Sequence, residues 1–204
     1  MASKTAQRIL FTSLELFNIH GEAAVTSVDI AMELDISPGN LYYHFKGKEV
    51  LVSALFELFS EQMKPLLARP SQPLNLDEFL YALHLQLEVA ATFRFLFRNP
   101  VDLLEKYPLL TKPFRHILNG QQARWRESLE YAIEQGQLSL SREAVSPMLH
   151  QLGLVFSQAA NYALLKGENL DNDEFAQHCL RSIVFLLHPY NQTERHDWPS
   201  FLPG

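Results

Sequence analysis

Apolar residues recur along this chain at intervals of three and four, the period of an α-helix. No segment alternates between turn signals as a strand does. Leu10, Leu14 and Phe17 form the first stripe, which Gly21 stops. Ile30, Ala31 and Leu34 form a short second one, and Ile36, Leu41 and Phe45 continue the same small core. Read with its breakers, the pattern predicts helices over roughly 5–20, 27–34, 38–45, 48–64, 77–98, 101–106, 109–135, 142–166 and 172–188. Pro65, Pro70 and Pro73 predict a loop over 65–75, and Asn99-Pro100 and Tyr107-Pro108 punctuate the middle. Gly136 and Gly167 follow helical runs, as C-terminal stops do. The expected fold class is all-α. The stretch from Pro189 to Gly204 is expected to lie as a surface tail, with Trp198, Phe201 and Leu202 able to anchor it.

One segment points to chemistry. Thr26 to Leu34 is amphipathic, and a tight connector leads from it to Ser37-Pro38-Gly39-Asn40-Leu41-Tyr42-Tyr43-His44-Phe45-Lys46-Gly47-Lys48. Two short helices joined this way read as a helix-turn-helix, whose second helix enters the DNA major groove. Thr26 suits the cap of the first helix, with Asp29 three residues on as a capping-box partner. Ser37 suits the cap of the second, and Pro38 suits its first position. Gly39 lets the backbone come close to a phosphate. Asn40, Tyr42, Tyr43 and His44 carry polar tips, Lys46 and Lys48 add charge, and no acidic residue lies between Asp35 and Glu49. The competing reading, an aromatic core helix, would have to bury three polar aromatic tips with partners for each.

Residues 37–48 resemble the recognition helix of the TetR family of bacterial transcriptional regulators: a small or polar pair, Leu-Tyr, a variable residue, His-Phe, then Lys. Upstream, Arg8-Ile9-Leu10 through Leu14-Glu15-Leu16-Phe17 and Gly21 resemble the family's first helix, so about a quarter of the chain carries the likeness. More loosely, Val101-Asp102-Leu103-Leu104 and Tyr107-Pro108-Leu109-Leu110 resemble one subgroup's regulatory half. The resemblance implies a helix-turn-helix DNA-binding domain over 1–48, a helical regulatory and dimerisation domain over 49–188, and a tail over 189–204. It implies a homodimer on a palindromic double-stranded DNA operator, released by a small effector held in the helical bundle, with the last two long helices pairing across the dimer axis. Tyr43 stands at the family's variable position. With Asn40, whose amide suits adenine, it is assigned to base edges. Pro38 and Gly39 are assigned to close backbone contact, and Thr26, Ser37, Tyr42, His44, Lys46 and Lys48 to phosphates.

Charge weighs against a general nucleic-acid coat. The chain carries a net charge of -6, and in residues 1–64 acidic groups outnumber Lys4, Arg8, Lys46, Lys48 and Lys64. Binding is therefore expected to rest on local geometry and on two subunits acting together. No run of 18 apolar residues indicates a membrane span, and the lone Cys179 fits a buried small hydrophobe in a reducing cytoplasm. The eight histidines show no ligand spacing for a metal, and neither a phosphate loop nor a nucleophile elbow occurs. No cofactor, metal or catalytic residue is expected.

Phe93, Phe95 and Phe97 cannot share one face of a single helix. Phe97, Phe114, Trp125 and Phe156 are expected to line a largely apolar effector cavity, with His84, Gln86, His116, Gln151 and Asn161 as candidate polar partners. Leu149, Leu152, Gly153, Phe156, Ala159, Ala160 and Ala163, with Phe175, Cys179, Ile183, Leu186 and Leu187, are the expected dimer stripes. A helical small-molecule carrier or interaction protein with a vestigial helix-turn-helix is the competing class.

Overall fold

The computed structural model of the chain describes residues 3–168 and 172–193, and these fold almost wholly as helix. The helices are α1 (Lys4–His20), α2 (Ser27–Glu33), α3 (Pro38–His44), α4 (Lys48–Leu67), α5 (Leu76–Thr92), α6 (Phe95–Arg98), α7 (Pro100–Lys106), α8 (Thr111–Glu134), α9 (Arg142–Leu165) and α10 (Asn172–Leu187). Local chemistry starts and stops them. Ser3, Ser37 and Ser141 each accept from the backbone amide three residues on, and Asn75 forms a reciprocal capping box with Glu78. Gly21 ends α1 at φ 85, a conformation that favours glycine, and a Cβ there would meet the Arg98 side chain at 3.4 Å.

One connected core runs from Ala6 to Leu187. Helix α4 ties its parts together, packing on α1 and on α5 and α8. At its centre lies a chain of rings. Phe59 meets Phe97 at 5.8 Å, Phe97 meets Phe114 at 5.8 Å and Phe156 at 5.6 Å, and Phe156 meets Trp125 at 5.7 Å. Each pair lies within the range in which aromatic contacts add to simple burial.

Several expectations need correcting. The helix expected over 77–98 is broken after Thr92, and the break is held from far away. Asn18 on α1 donates to the Thr92 carbonyl at 2.8 Å and accepts from the Phe95 amide at 3.0 Å, so the interrupted backbone keeps its partners. The break lets Phe93, Phe95 and Phe97 all be buried, with Phe93 against Phe59 and Phe95 against Phe17. Pro65 does not end α4, which runs on to Leu67, because a proline in the last turn removes only one donor. The buried stripe of α1 is Ala6, Ile9, Ser13 and Phe17, with Leu10 and Leu14 at its edge.

Most of the expected dimer stripes is intrachain core. Leu149, Leu152, Phe156, Ala163, Phe175, Cys179, Ile183 and Leu187 are buried within the single chain, and Ala159 and Leu186 pack beside them. The side chain of Ala160 lies outside the described residues. Cys179 is fully buried, and burial pushes its thiol up to about 12. The start of the tail is pinned to the α8–α9 connection: Ser139 donates to the Tyr190 carbonyl at 2.8 Å and Gln192 to that of Gln137 at 2.9 Å. Trp198, Phe201 and Leu202 lie outside the described residues.

Candidate nucleic-acid interface

The turn between α2 and α3 is built without glycine. Asp35 adopts φ 53, the Ile36 amide donates to the Ala31 carbonyl at 3.0 Å, and the Asp35 amide donates to that of Met32 at 3.1 Å. These two crossed bonds are a Schellman stop, with Asp taking the left-handed position that glycine usually fills. Ile36 then turns inward against the small core and directs α3 across α2.

Helix α3 has two unlike faces. Leu41 is buried and Phe45, its C-terminal cap, sits beneath it, so both hold the helix down. Ser37, Pro38, Gly39 and Asn40 are exposed at its start, and Tyr42 and Tyr43 are 61% and 80% exposed. Those values exclude the aromatic-core reading. His44 is half-buried, with its ring edge-on to Tyr43 at 5.2 Å, and Lys46 is exposed just past the helix. Thr26 is exposed too, but its hydroxyl donates to Asp29 at 2.7 Å while accepting from the Asp29 amide at 3.2 Å. Hydrogen bonds from the Thr26 amide and then its hydroxyl hold the Asp29 carboxyl below its ordinary range.

Lys48 differs from the rest. Expected at a phosphate, it is directed inward. Its ammonium lies 2.7 Å from a Glu22 carboxylate oxygen, donates also to the Glu22 carbonyl, and sits over the Phe17 ring. Glu22, on the short 3-10 turn Glu22–Ala24, is itself buried. It accepts from Lys106 at 2.9 Å and from the Tyr107 hydroxyl, both at the far end of α7. Burial alone would raise the Glu22 carboxyl. Bonds from Lys48, Tyr107 and Lys106 outweigh burial and hold it below the ordinary carboxylate range. Burial first, then the bond to Glu22, push the Tyr107 phenol up. Nothing local in the sequence links residue 22 to residues 106 and 107; only the tertiary fold brings them together.

A depressed carboxyl stabilises the fold above its unfolded pKa, about 4.3, and that contribution is lost as pH falls through the lower native value. Thermal melts followed by circular dichroism between about pH 3 and pH 6 should therefore show a steeper acid loss for the wild type than for Glu22→Gln. Parallel pH profiles for the two would count against this linkage.

In the bundle, the polar candidates separate. Gln86 is buried, and its oxygen accepts from Gln121 at 3.0 Å and from the Trp125 indole at 3.2 Å. His116 and Gln151 are exposed, Asn161 pairs with Gln158, and His84 pairs with Glu88 at 3.2 Å. Gln121 is an addition to the expected polar partners, brought in by its bond to Gln86. Gln121 and Trp125 border a cleft of about 260 Å³ between α8 and α9, together with Leu118, Leu149 and Gly153. Trp125 and Gln86 also border a smaller cleft under the 68–74 loop. Phe97, Phe114 and Phe156 pack behind Trp125 with their rings edge-on or tilted to one another. Among the described residues no group of His, Cys, Asp and Glu has the arrangement of a metal site. No described helix is long and apolar enough to cross a membrane.

An anchored helix with exposed polar tips, set on a helix-turn-helix and followed by a helical bundle, defines a helix-turn-helix DNA-binding protein. The comparisons with known proteins narrow this. A family model described as "Bacterial regulatory proteins, tetR family" matches residues 9–55, and the TetR model described as "Bacterial transcriptional repressor" matches residues 58–197. The chain belongs to the TetR family of transcriptional regulators. It is similar to a TetR-family transcriptional regulator from Marinobacter aquaeolei VT8, with a TM-score of 0.81 and 29% identity over 94% of this chain and 93% of that one. A regulatory protein of the tetR family from Rhodococcus RHA1 shares the fold, with a TM-score of 0.63 and 18% identity over 91% of this chain and 97% of that one. The HTH-type transcriptional regulator YerO of Bacillus subtilis is 45% identical over 53 residues, which are 26% of this chain and 18% of that protein's length.

Proposed function

We propose that this protein is a ligand-responsive repressor that binds a palindromic operator as a homodimer and is released by a small effector. The observation that carries the reading is α3 itself: Leu41 and Phe45 hold it down while Asn40, Tyr42 and Tyr43 stand in solvent. Asn40 and Tyr43 read base edges, Pro38 and Gly39 make the close backbone approach, and Ser37, Tyr42, His44 and Lys46 meet phosphates. We assign Thr26 and Lys48 to structure, because Asp29 and Glu22 hold their polar groups. One short helix and few cations per subunit give weak binding alone, so two half-sites about 34–36 Å apart are needed.

The effector enters the bundle at Trp125. The cleft beside it is lined by Leu118, Leu149 and Leu154 and by the polar Asn119, Gln121, Gln122, His150 and Ser157. Such a lining suits a molecule with an apolar body and several hydrogen-bonding groups. Binding changes the operator affinity only through a difference in affinity for the two states.

Selection of duplexes from a random pool by the purified full chain tests the reading. A symmetric consensus is expected. On that consensus Asn40→Ala should cost about 1–3 kcal/mol and relax one base position, while Lys46→Ala should weaken binding evenly across sequences. Equal losses on every sequence for both variants would refute the assignment. A protein that selects no duplex would favour a small-molecule carrier with a vestigial helix-turn-helix.

A further inference from the structure

Where the three N-terminal helices meet the bundle, one carboxylate is held from both sides. Glu22 is 7% exposed and lies four residues before Thr26, the cap of α2. From the N-terminal side it receives Lys48 at 2.7 Å, and Lys48 is the first residue of α4, three past the cap of α3. From the bundle side it receives Lys106 at 2.9 Å and the Tyr107 hydroxyl. Lys48, Lys106 and Tyr107 all converge on the same carboxylate oxygen, Oε1. Arg98 adds a bond across the seam, to the Ile19 carbonyl at 3.1 Å, beside the two that Asn18 makes to Thr92 and Phe95.

Next to this cluster the seam is open. A cleft of about 230 Å³ lies between the Gly21–Ala24 turn and α6–α7, with Arg98, Asn99, Asp102 and Lys106 on its far wall. Charge-assisted bonds are short and directional, so they constrain orientation as well as distance. The polar bonds that cross the seam therefore fix the angle of the N-terminal unit together with the packing of α1 on α4 and of Phe17 on Phe95.

We propose that Glu22 is a positioning residue for operator binding: through Lys48 on one side and Lys106 and Tyr107 on the other, it fixes the N-terminal unit on the bundle and so sets the separation of the two recognition helices in the homodimer. This rests on the homodimeric operator reading above. Glu22 touches no base. Its effect is on how strictly the protein measures the distance between half-sites.

The test uses the full chain and the duplex that the wild type selects. Three sites are compared: the intact palindrome, versions with one or two base pairs added or removed between the half-sites, and an isolated half-site. Each base pair moves the second half-site by about 3.4 Å and roughly a tenth of a turn, which a rigid pair of reading heads cannot follow. Wild type should lose affinity steeply with each change. Glu22→Gln and Tyr107→Phe should bind the intact palindrome about tenfold more weakly, the scale of one charge-assisted hydrogen bond. They should show a flatter spacing profile and bind the half-site as wild type does.

Glu22→Gln leaves Lys48 and Lys106 facing each other and risks misfolding. Tyr107→Phe removes one bond without leaving a charge unpaired, and its profile decides the matter if Glu22→Gln does not fold. A spacing profile for folded Tyr107→Phe that parallels wild type, at whatever absolute affinity, overturns the proposal. A wild type that selects a single unpaired site and ignores spacing refutes the homodimeric reading itself, and the positioning role falls with it.

Discussion

Replacing Phe97 with alanine should destabilise the fold by about 3–5 kcal/mol, a large part of the roughly 5–15 kcal/mol that holds a domain of ordinary stability. Phe97 is 2% exposed and its ring meets Phe59, Phe114 and Phe156, which come from α4, α8 and α9. Truncation therefore opens a void that three separate helices would have to close, and a close-packed interior relaxes only in part. Urea denaturation measures the loss as a shift of the midpoint at constant slope. The same experiment separates core from cavity wall. A ring lining an open effector cavity has fewer neighbours to lose, so a cost under about 1 kcal/mol would show Phe97 facing a cavity. Tyr43→Ala is the control, since an exposed tip should move stability by no more than about 0.5 kcal/mol.

Charging the outward faces of the last two helices should break the proposed homodimer while the subunit stays folded. Leu154, Tyr162 and Leu165 on α9 and Phe185 on α10 are exposed, Leu165 at 86% and Phe185 at 78%. They lie on the sides of those helices opposite the intrachain core of Leu149, Leu152, Ile183 and Leu187. An aromatic anchor buried between subunits is worth about 2–4 kcal/mol, so Phe185→Glu should weaken association by roughly 30- to 1000-fold. Sedimentation should show monomers at micromolar concentration, with unchanged helical content and with operator binding lost. Ile183→Glu is the contrast. It places a charge in the core and should unfold the chain, because a buried unpaired charge is not tolerated. A Phe185→Glu protein that remains a dimer and binds its operator as wild type does would move the dimer interface elsewhere.

The helical class and the reading helix were legible in the sequence because both depend on near neighbours. A period of 3.6, serine caps three residues before the amides they serve, and proline at a first position all act within one or two turns. The alternation at 37–48 is equally local. Leu41 and Phe45 lie four apart and share one face, so Asn40, Tyr42 and Tyr43 must lie off it.

What the sequence could not decide was set by groups far apart in the chain. The break after Thr92 exists because Asn18 completes the backbone bonds there, and nothing near residue 92 announces it. Lys48 looked like a phosphate ligand because a lysine past a recognition helix has that chemistry. It faces inward because Glu22 is buried beside it and is held from the other side by Lys106 and Tyr107. The apolar stripes of α9 and α10 were visible, but a stripe does not say whether it meets its own chain or a second copy. Packing answered that: the regular stripes went to the intrachain core, and the scattered residues Leu154, Leu165 and Phe185 were left outside. Periodicity thus determined the helices and one of their faces. The partner of each face was decided only in three dimensions, because burial and charge pairing depend on distance in space, not along the chain.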